Sequence, residues 1–404
     1  MRILFAWELG AGFGHLTMIL PVARILAERG AEIYLCLKSP EGAESLSGDP
    51  RFNLLQAPYH AERRVERGAA GDNPKTASFS QSLGVIGYRE ADTLVGLIEG
   101  WRSIFARVKP DVLAAEYSPT ALLAARGQGF ATAAMGTGFT LPPLTTPMPA
   151  MAYWKPHDPD ELARRESEML ATINTALARL GLAPLAAIAD MLRAEKQFLC
   201  AFQELDHYLD RPPSEYLGAL FTTDGGAEMA WRPGATKRIL AYIKPRRGKF
   251  EPILQALRAL PPDHDTIGVF PELPEELRLR FEAPHLRLVT RHARLNRLLG
   301  ECDLAIHHAG AGITAAMACA GVPMLMVPRH IEQSMTAQAA VRQGLGLMVA
   351  ARSLGVELGP ALKELLADPS YKAKARAFAQ KYEGFDPVSV PERIATEIEA
   401  LARR

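Results

Sequence analysis

Short apolar runs alternate along this chain with longer stretches in which apolar side chains recur every three or four positions. RILFAW (2–7) is the first run. LGAGFGHLTMILPVARILAERG (9–30) follows it as a glycine-rich turn and a helix, and AEIYLCL (31–37) is a second run. This is the strand, turn, helix, strand order of an α/β unit. An amphipathic segment runs through Trp101, and VLAAE (112–116) has the unbroken apolar character of a buried parallel strand. Ser118 is placed as an N-cap with Pro119 as first helical residue. Helical pattern continues to about residue 195, and QFLCAFQEL (197–205) is predicted as another strand. The alternation then restarts with KRILAYIKP, helix EPILQALRAL, strands DTIGVF and LRLVT, helix LNRLLGEC and strand LAIHH. Two doubly wound domains are predicted, with ligand crevices at the carboxyl ends of their strands.

The breaks in this pattern set the boundaries. The first domain is assigned to 1–215, a Gly-, Pro- and polar-rich linker to 216–236, the second domain to 237–382, and a C-terminal helical segment to 383–404. A charged surface stretch covers 60–75. Residues 136–160 hold six prolines with no regular period, the mark of a long irregular loop with a role in binding. A length of 404 residues suits two domains, and 48% hydrophobic residues supply two cores. A net charge of +1 argues against a nucleic-acid binder. The four cysteines form no CxxC pair and fit reduced thiols in a cytoplasmic protein. The uncharged run Ala309–Pro328 is divided by Gly310, Gly312, Gly321 and Pro323, so no transmembrane segment is expected. Nothing in the sequence sets an oligomeric state.

In the first turn Gly10, Gly12 and Gly14 are spaced GxGxG, which misses the GxGxxG dinucleotide pattern by one residue. The acidic residue that should end the second strand is also missing. His15 stands where the turn enters the helix. It is either a histidine bonded to a neighbouring loop or a base, kept neutral by the helix N-terminus. Glu116, at the end of a strand expected on the same sheet edge, is either its carboxylate partner or a capping or solvated side chain. The second turn, in IHHAGAGITAAMACAGVP (306–323), opens a helix whose first N–H groups lack intrahelical partners. That makes a diphosphate site, to which His308 can donate.

HHAGAG, then GVP, then the spacing P-x-x-x-E-Q at 328–333 and GLG at 344–346 resemble the donor signature of family-1 nucleotide-sugar glycosyltransferases. The bacterial macrolide and glycopeptide enzymes are closest in style. GHL with Leu20, Ala23 and Leu26, and KPDVLAAE, are similar to that family's first helix and the strand carrying its catalytic carboxylate. The resemblance implies the α/β GT-B fold: two Rossmann-like doubly wound parallel-sheet domains facing across a cleft, acceptor on the first and nucleotide sugar on the second. It implies an inverting, metal-independent enzyme moving sugar from UDP or dTDP to a hydroxyl of a small-molecule acceptor. The nucleotide sugar is a co-substrate, and no cofactor or metal is called for; no paired carboxylates suited to a divalent ion are evident.

Carried over by position, the resemblance makes His15 the base and Glu116 its partner, with Gly12 and Gly14 in the cleft turn. His308, Ala309, Gly310, Ala311, Gly312 and Thr314 would hold the diphosphate, Glu332 and Gln333 the sugar hydroxyls, and His292 the base. Ile313, Ala316 and Met18 depart from the family pattern, and Glu116 and Glu332 stand where aspartates are usual. Two other readings share this architecture, a nucleotide-sugar 2-epimerase and a non-catalytic nucleotide-sugar binder. Lys244, Arg246, Arg247 and Lys249 form a basic cluster that either neutralises phosphates or is a solvated loop.

Overall fold

The structure, a computed structural model, describes residues 1–10, 13–39, 49–60, 78–223, 225–245 and 250–403, without the side chains of Phe13 and Val85. Gly12, most of the charged stretch 60–75, and Arg246, Arg247 and Lys249 lie outside these residues. The described chain forms two units, each built around a six-stranded parallel sheet. The first contains β1 (Arg2–Trp7), β2 (Glu32–Leu37), β3 (Phe52–Gln56), β4 (Val112–Glu116), β5 (Ala131–Gly136) and β6 (Lys196–Leu199). The second contains β7 (Arg238–Tyr242), β8 (Asp265–Val269), β9 (Leu286–Val289), β10 (Leu304–His307), β11 (Met324–Met326) and β12 (Gly346–Met348).

Strand order is β3-β2-β1-β4-β5-β6 in one sheet and β9-β8-β7-β10-β11-β12 in the other, the same winding repeated. Every named pair is parallel. Helices cover both faces of such a sheet, so its central strands are apolar throughout rather than alternating. β1, β4, β8 and β10 are buried accordingly. The order reverses between β1 and β4, and again between β7 and β10. Those two points are where a doubly wound sheet leaves a crevice at its carboxyl edge.

Three strands escape the hydrophobic pattern. β5, ATAAMG, has little of the β-branched or aromatic character that marks a strand, and β12 is only three residues long. β3, FNLLQ, is largely exposed at a sheet edge. The predicted strand over 197–205 ends early, at Leu199. Beyond it Phe202 enters an aromatic cluster of the second unit, with ring centroids 4.2 Å from Tyr382, 4.9 Å from Phe385 and 5.7 Å from Phe378. Phe202–His207 therefore belongs with residues 221–387. Residues 137–158 hold no helix or strand, and Glu166 pins this loop by accepting from Met148 N at 2.9 Å and Ser80 Oγ at 3.1 Å. All four cysteines are free thiols. Among the described residues no helix is long and apolar enough to cross a membrane.

The helix Ser389–Ala402 returns to the first unit and packs on the helix Phe13–Glu28. Arg29 donates to Glu399 Oε2 at 3.0 Å and to Thr396 Oγ1 at 3.1 Å, and also meets Glu392. Exposed ion pairs of this kind contribute little. Burial of Val390, Ile394, Ile398 and Leu401 is the larger effect. Ile398→Ala should thus destabilise the first unit by roughly 2–5 kcal/mol. Urea unfolding followed by tryptophan fluorescence, to which Trp7, Trp101 and Trp154 of this unit contribute, checks this; an unchanged midpoint would detach the helix from that core.

Candidate functional site

The reversal point of the first sheet gathers a histidine, a carboxylate and two aromatic rings. β1 and β4 run side by side in register to Ala6 and Ala115, so Trp7 and Glu116 end level with each other. His15 is the third residue of the helix that begins at Phe13. Its Nδ1 lies 2.8 Å from Glu116 Oε2, with the two side chains 13% and 3% exposed. An ionised carboxylate only accepts, so Nδ1 carries a proton, and in the neutral ring the lone pair is then on Nε2. The Trp7 ring stacks on the imidazole at 4.9 Å between centroids and the Tyr117 ring stacks at 5.8 Å, both at 25°. Tyr117 takes φ +46°, and Phe79 and Phe139 pack against its ring.

Gly10 has φ +79°, and a Cβ built there would fall 2.3 Å from His15 Nε2. The ring can occupy its place only above a residue with no side chain. Gly14 has no such need, since a Cβ there meets nothing within 4 Å among the described residues. Glu8, directly after β1, is 3% exposed and accepts from Trp101 Nε1 at 2.7 Å and from Thr120 N. Burial pushes its carboxyl up to about 7 against the pull of those hydrogen bonds. Ser118 does stand at the N-cap with Pro119 first in the helix, but its side chain makes no capping bond.

The reversal point of the second sheet places His307 and His308 at the end of β10, beside Tyr242 and Lys244 at the end of β7. The helix Ala311–Cys319 follows, its first intrahelical bond running from Thr314 N to Gly310 O at 3.0 Å. The N–H groups of Ala311, Gly312 and Ile313 precede it and supply the helix-start donors. Two expected contacts are turned inward. Ala309 is buried at φ +58°, and its N–H donates to His307 Nδ1 at 3.0 Å. The Thr314 hydroxyl is buried and donates to Gly310 O at 2.8 Å.

His308 Nδ1 lies 2.8 Å from Val327 O, while Nε2 lies 3.3 Å from Lys244 O and 3.5 Å from Arg329 Nη1. Burial, with the Arg329 charge adding to it, lowers its basicity despite the carbonyl contacts. A neutral ring gives its one N–H to Val327 O, so donation from Nε2 to a phosphate requires a second proton. Arg329 also bonds Lys244 O at 2.8 Å, and its backbone N–H donates to Gln333 Oε1 at 2.9 Å. Glu332 lies beside Gln333 in the first turn of the helix Ile331–Arg342, where a carboxylate suits the dipole. His292 is exposed, with Nδ1 hydrogen-bonded to Tyr242 OH and its carbonyl accepting from Ala227 N at 2.8 Å. Gly226, Ala227, Glu228, Arg291 and His292 line an open depression.

Each sheet thus brings its own predicted residues together: His15 with Glu116, and His308 with the helix start and, through Arg329, with Gln333. The sequence reading missed Trp7, Glu8, Tyr117, Tyr242 and Arg329 as parts of these sites. Only Arg329 carried a signal, from its place inside the P-x-x-x-E-Q spacing. Among the described residues no three His, Cys, Asp or Glu side chains gather as a metal ion would need.

Residues 263–401 match the family described as erythromycin biosynthesis protein CIII-like, C-terminal domain. Over 114 residues the chain is 32% identical to the elloramycin glycosyltransferase ElmGT of Streptomyces olivaceus, a match covering 28% of each chain. The chain spans under a third of the length of the curated relatives it matches. The solved calicheamicin glycosyltransferase CalG4 superposes with a TM-score of 0.72 at 17% identity, over 100% of this chain and 98% of that one. Glycosyltransferase VinC in complex with dTDP gives 0.66 at 17% identity over 100% of both chains. The fold is the α/β GT-B fold of these glycosyltransferases, as the motifs HHAGAG and P-x-x-x-E-Q implied.

The wholly buried His307 provides a test of the second site's packing. Its Nδ1 accepts from Ala309, and burial pushes its basicity down to about 3 from the usual 6.5. Below about pH 6.5 the unfolded chain therefore binds a proton that the folded chain refuses, and stability falls by roughly 1 kcal/mol per pH unit. In His307→Asn, whose amide oxygen can still accept from Ala309, that part of the slope should vanish. Thermal midpoints measured from pH 7 to pH 4 decide it; parallel slopes in the two proteins would show that His307 does not remain neutral.

Proposed function

We propose that this protein transfers a sugar from a nucleoside diphosphate sugar to a hydroxyl of a small acceptor, with inversion at the anomeric carbon. The observation that carries this reading is the His15–Glu116 contact at 2.8 Å at the reversal point of the first sheet. A hydroxyl is a weak nucleophile, and a base that takes its proton as the new bond forms removes that obstacle. Nε2 of His15 is that base. Glu116 holds the other nitrogen protonated and stabilises the imidazolium formed on transfer.

The second unit is the donor-binding unit in this reading. The N–H groups of Ala311, Gly312 and Ile313 and the positive end of their helix meet the charge developing on the leaving diphosphate. His308 joins them once protonated, a state the diphosphate itself favours. This stabilisation uses the protein's own dipoles, so the proposed transfer is metal-independent. Glu332 and Gln333 address the sugar and His292 the nucleobase. The likeness to VinC, solved with dTDP, makes a thymidine diphosphate sugar the first donor to try and a UDP sugar the second. The half-buried Tyr117 ring beside His15, backed by Phe79 and Phe139, suits an acceptor with an apolar face.

His15→Ala should lower transfer by about 10²–10⁴-fold, the usual contribution of a positioned base. Its affinity for dTDP or UDP, measured by calorimetry, should stay near that of the unaltered protein. Normal transfer would make His15 a structural turn residue, and lost nucleotide affinity would move the nucleotide to the first unit.

A further inference from the structure

Glu8 follows Trp7, whose ring stacks on His15, and none of the roles above uses it. Its two carboxylate oxygens receive donors from two different helices, Trp101 Nε1 on Ala91–Val108 and Thr120 N on Pro119–Ala125. Thr120 N is one of the donors that a helix start leaves unsatisfied, and Ser118 makes no side-chain cap. Glu8 supplies the missing acceptor from the neighbouring strand. The Tyr88 hydroxyl, 2.6 Å from Thr120 Oγ1, holds the same residue.

This tether joins the two segments whose rings hold His15. Trp7 precedes Glu8, and Tyr117 lies three residues before Thr120. Leu9 N donates to Tyr117 O at 3.2 Å, and β1 pairs with β4 as far as Ala6 and Ala115, so the two segments are joined on both sides of Glu8. That turn also carries Glu116, and Tyr117 adopts a left-handed φ that a non-glycine residue keeps only when its surroundings enforce it. We propose that Glu8 is a positioning residue: by capping the helix at Thr120 it fixes the separation of Trp7 and Tyr117, and so the orientation of the His15 ring on Glu116. This rests on His15 being the base of the proposed transfer.

Glu8→Gln tests it, because an amide offers one acceptor where two donors point. Transfer should fall by about 10–10²-fold in kcat, the scale on which small misplacements act, while the donor KM changes little. Nitrogen-15 spectra of the imidazoles, with His15 assigned through His15→Ala, should show one tautomer in the unaltered protein and averaging in Glu8→Gln. The double variant Glu8→Gln/Trp101→Phe removes the unmatched donor and leaves the amide oxygen for Thr120. It should regain most of the rate and the single tautomer, and it carries the test if Glu8→Gln alone does not fold. An unaltered kcat and His15 spectrum in Glu8→Gln would overturn the proposal, as would a folded double variant whose His15 spectrum stays averaged. If the unaltered protein transfers no sugar, the functional reading fails, and the His15 spectra alone still decide the role of Glu8.

Discussion

A parallel sheet that winds outward in both directions from its first strand leaves one point at its carboxyl edge uncovered by a crossover. Both sheets obey this constraint with the same order, and in both the uncovered point holds residues of the proposed sites. Between β1 and β4 it places Glu116 level with Trp7, which brings the carboxylate to the histidine that opens the next helix. Between β7 and β10 it places His308 against the carbonyl of Lys244 and starts a helix beside them. The chemistry follows from where each strand order turns back.

The two points use opposite electrostatic means. In the first, a carboxylate is brought inside: Glu116 is almost fully buried and meets Nδ1 of the His15 ring. In the second, uncharged rings and backbone groups stand beside the Arg329 cation. His307 and His308 are both buried enough to lose basicity, and the donors facing outward are backbone N–H groups. An incoming anion there meets dipoles already oriented toward it. A base acting on a neutral hydroxyl needs the first arrangement, and a leaving diphosphate needs the second.

What the sequence disclosed and withheld divides along physical lines. Buried parallel strands such as RILFAW and VLAAE, and the helix starts after glycine-rich turns, follow local rules of period and capping, so the fold could be read directly, while the His15–Glu116 pair stood as one of two open readings. β5 was hidden because alanines pack a sheet without showing strand character. The exchange of Phe202 into the other unit was hidden because a run of apolar residues does not say which core it enters. The inward turns of Ala309 and Thr314 depend on a backbone angle and a rotamer that composition does not reveal. Glu8 interrupts an apolar run and looks like a strand end; its two donors lie 93 and 112 residues away.

The central claim is that Glu116 acts on the reaction only through the His15 ring. A double-mutant cycle on transfer rate measures this directly, comparing His15→Ala, Glu116→Gln and the double variant. Groups that act as one unit are strongly non-additive. Glu116→Gln should lose less than His15→Ala, and the double variant should be no slower than His15→Ala alone. Losses that multiply would give Glu116 an independent role and contradict the account.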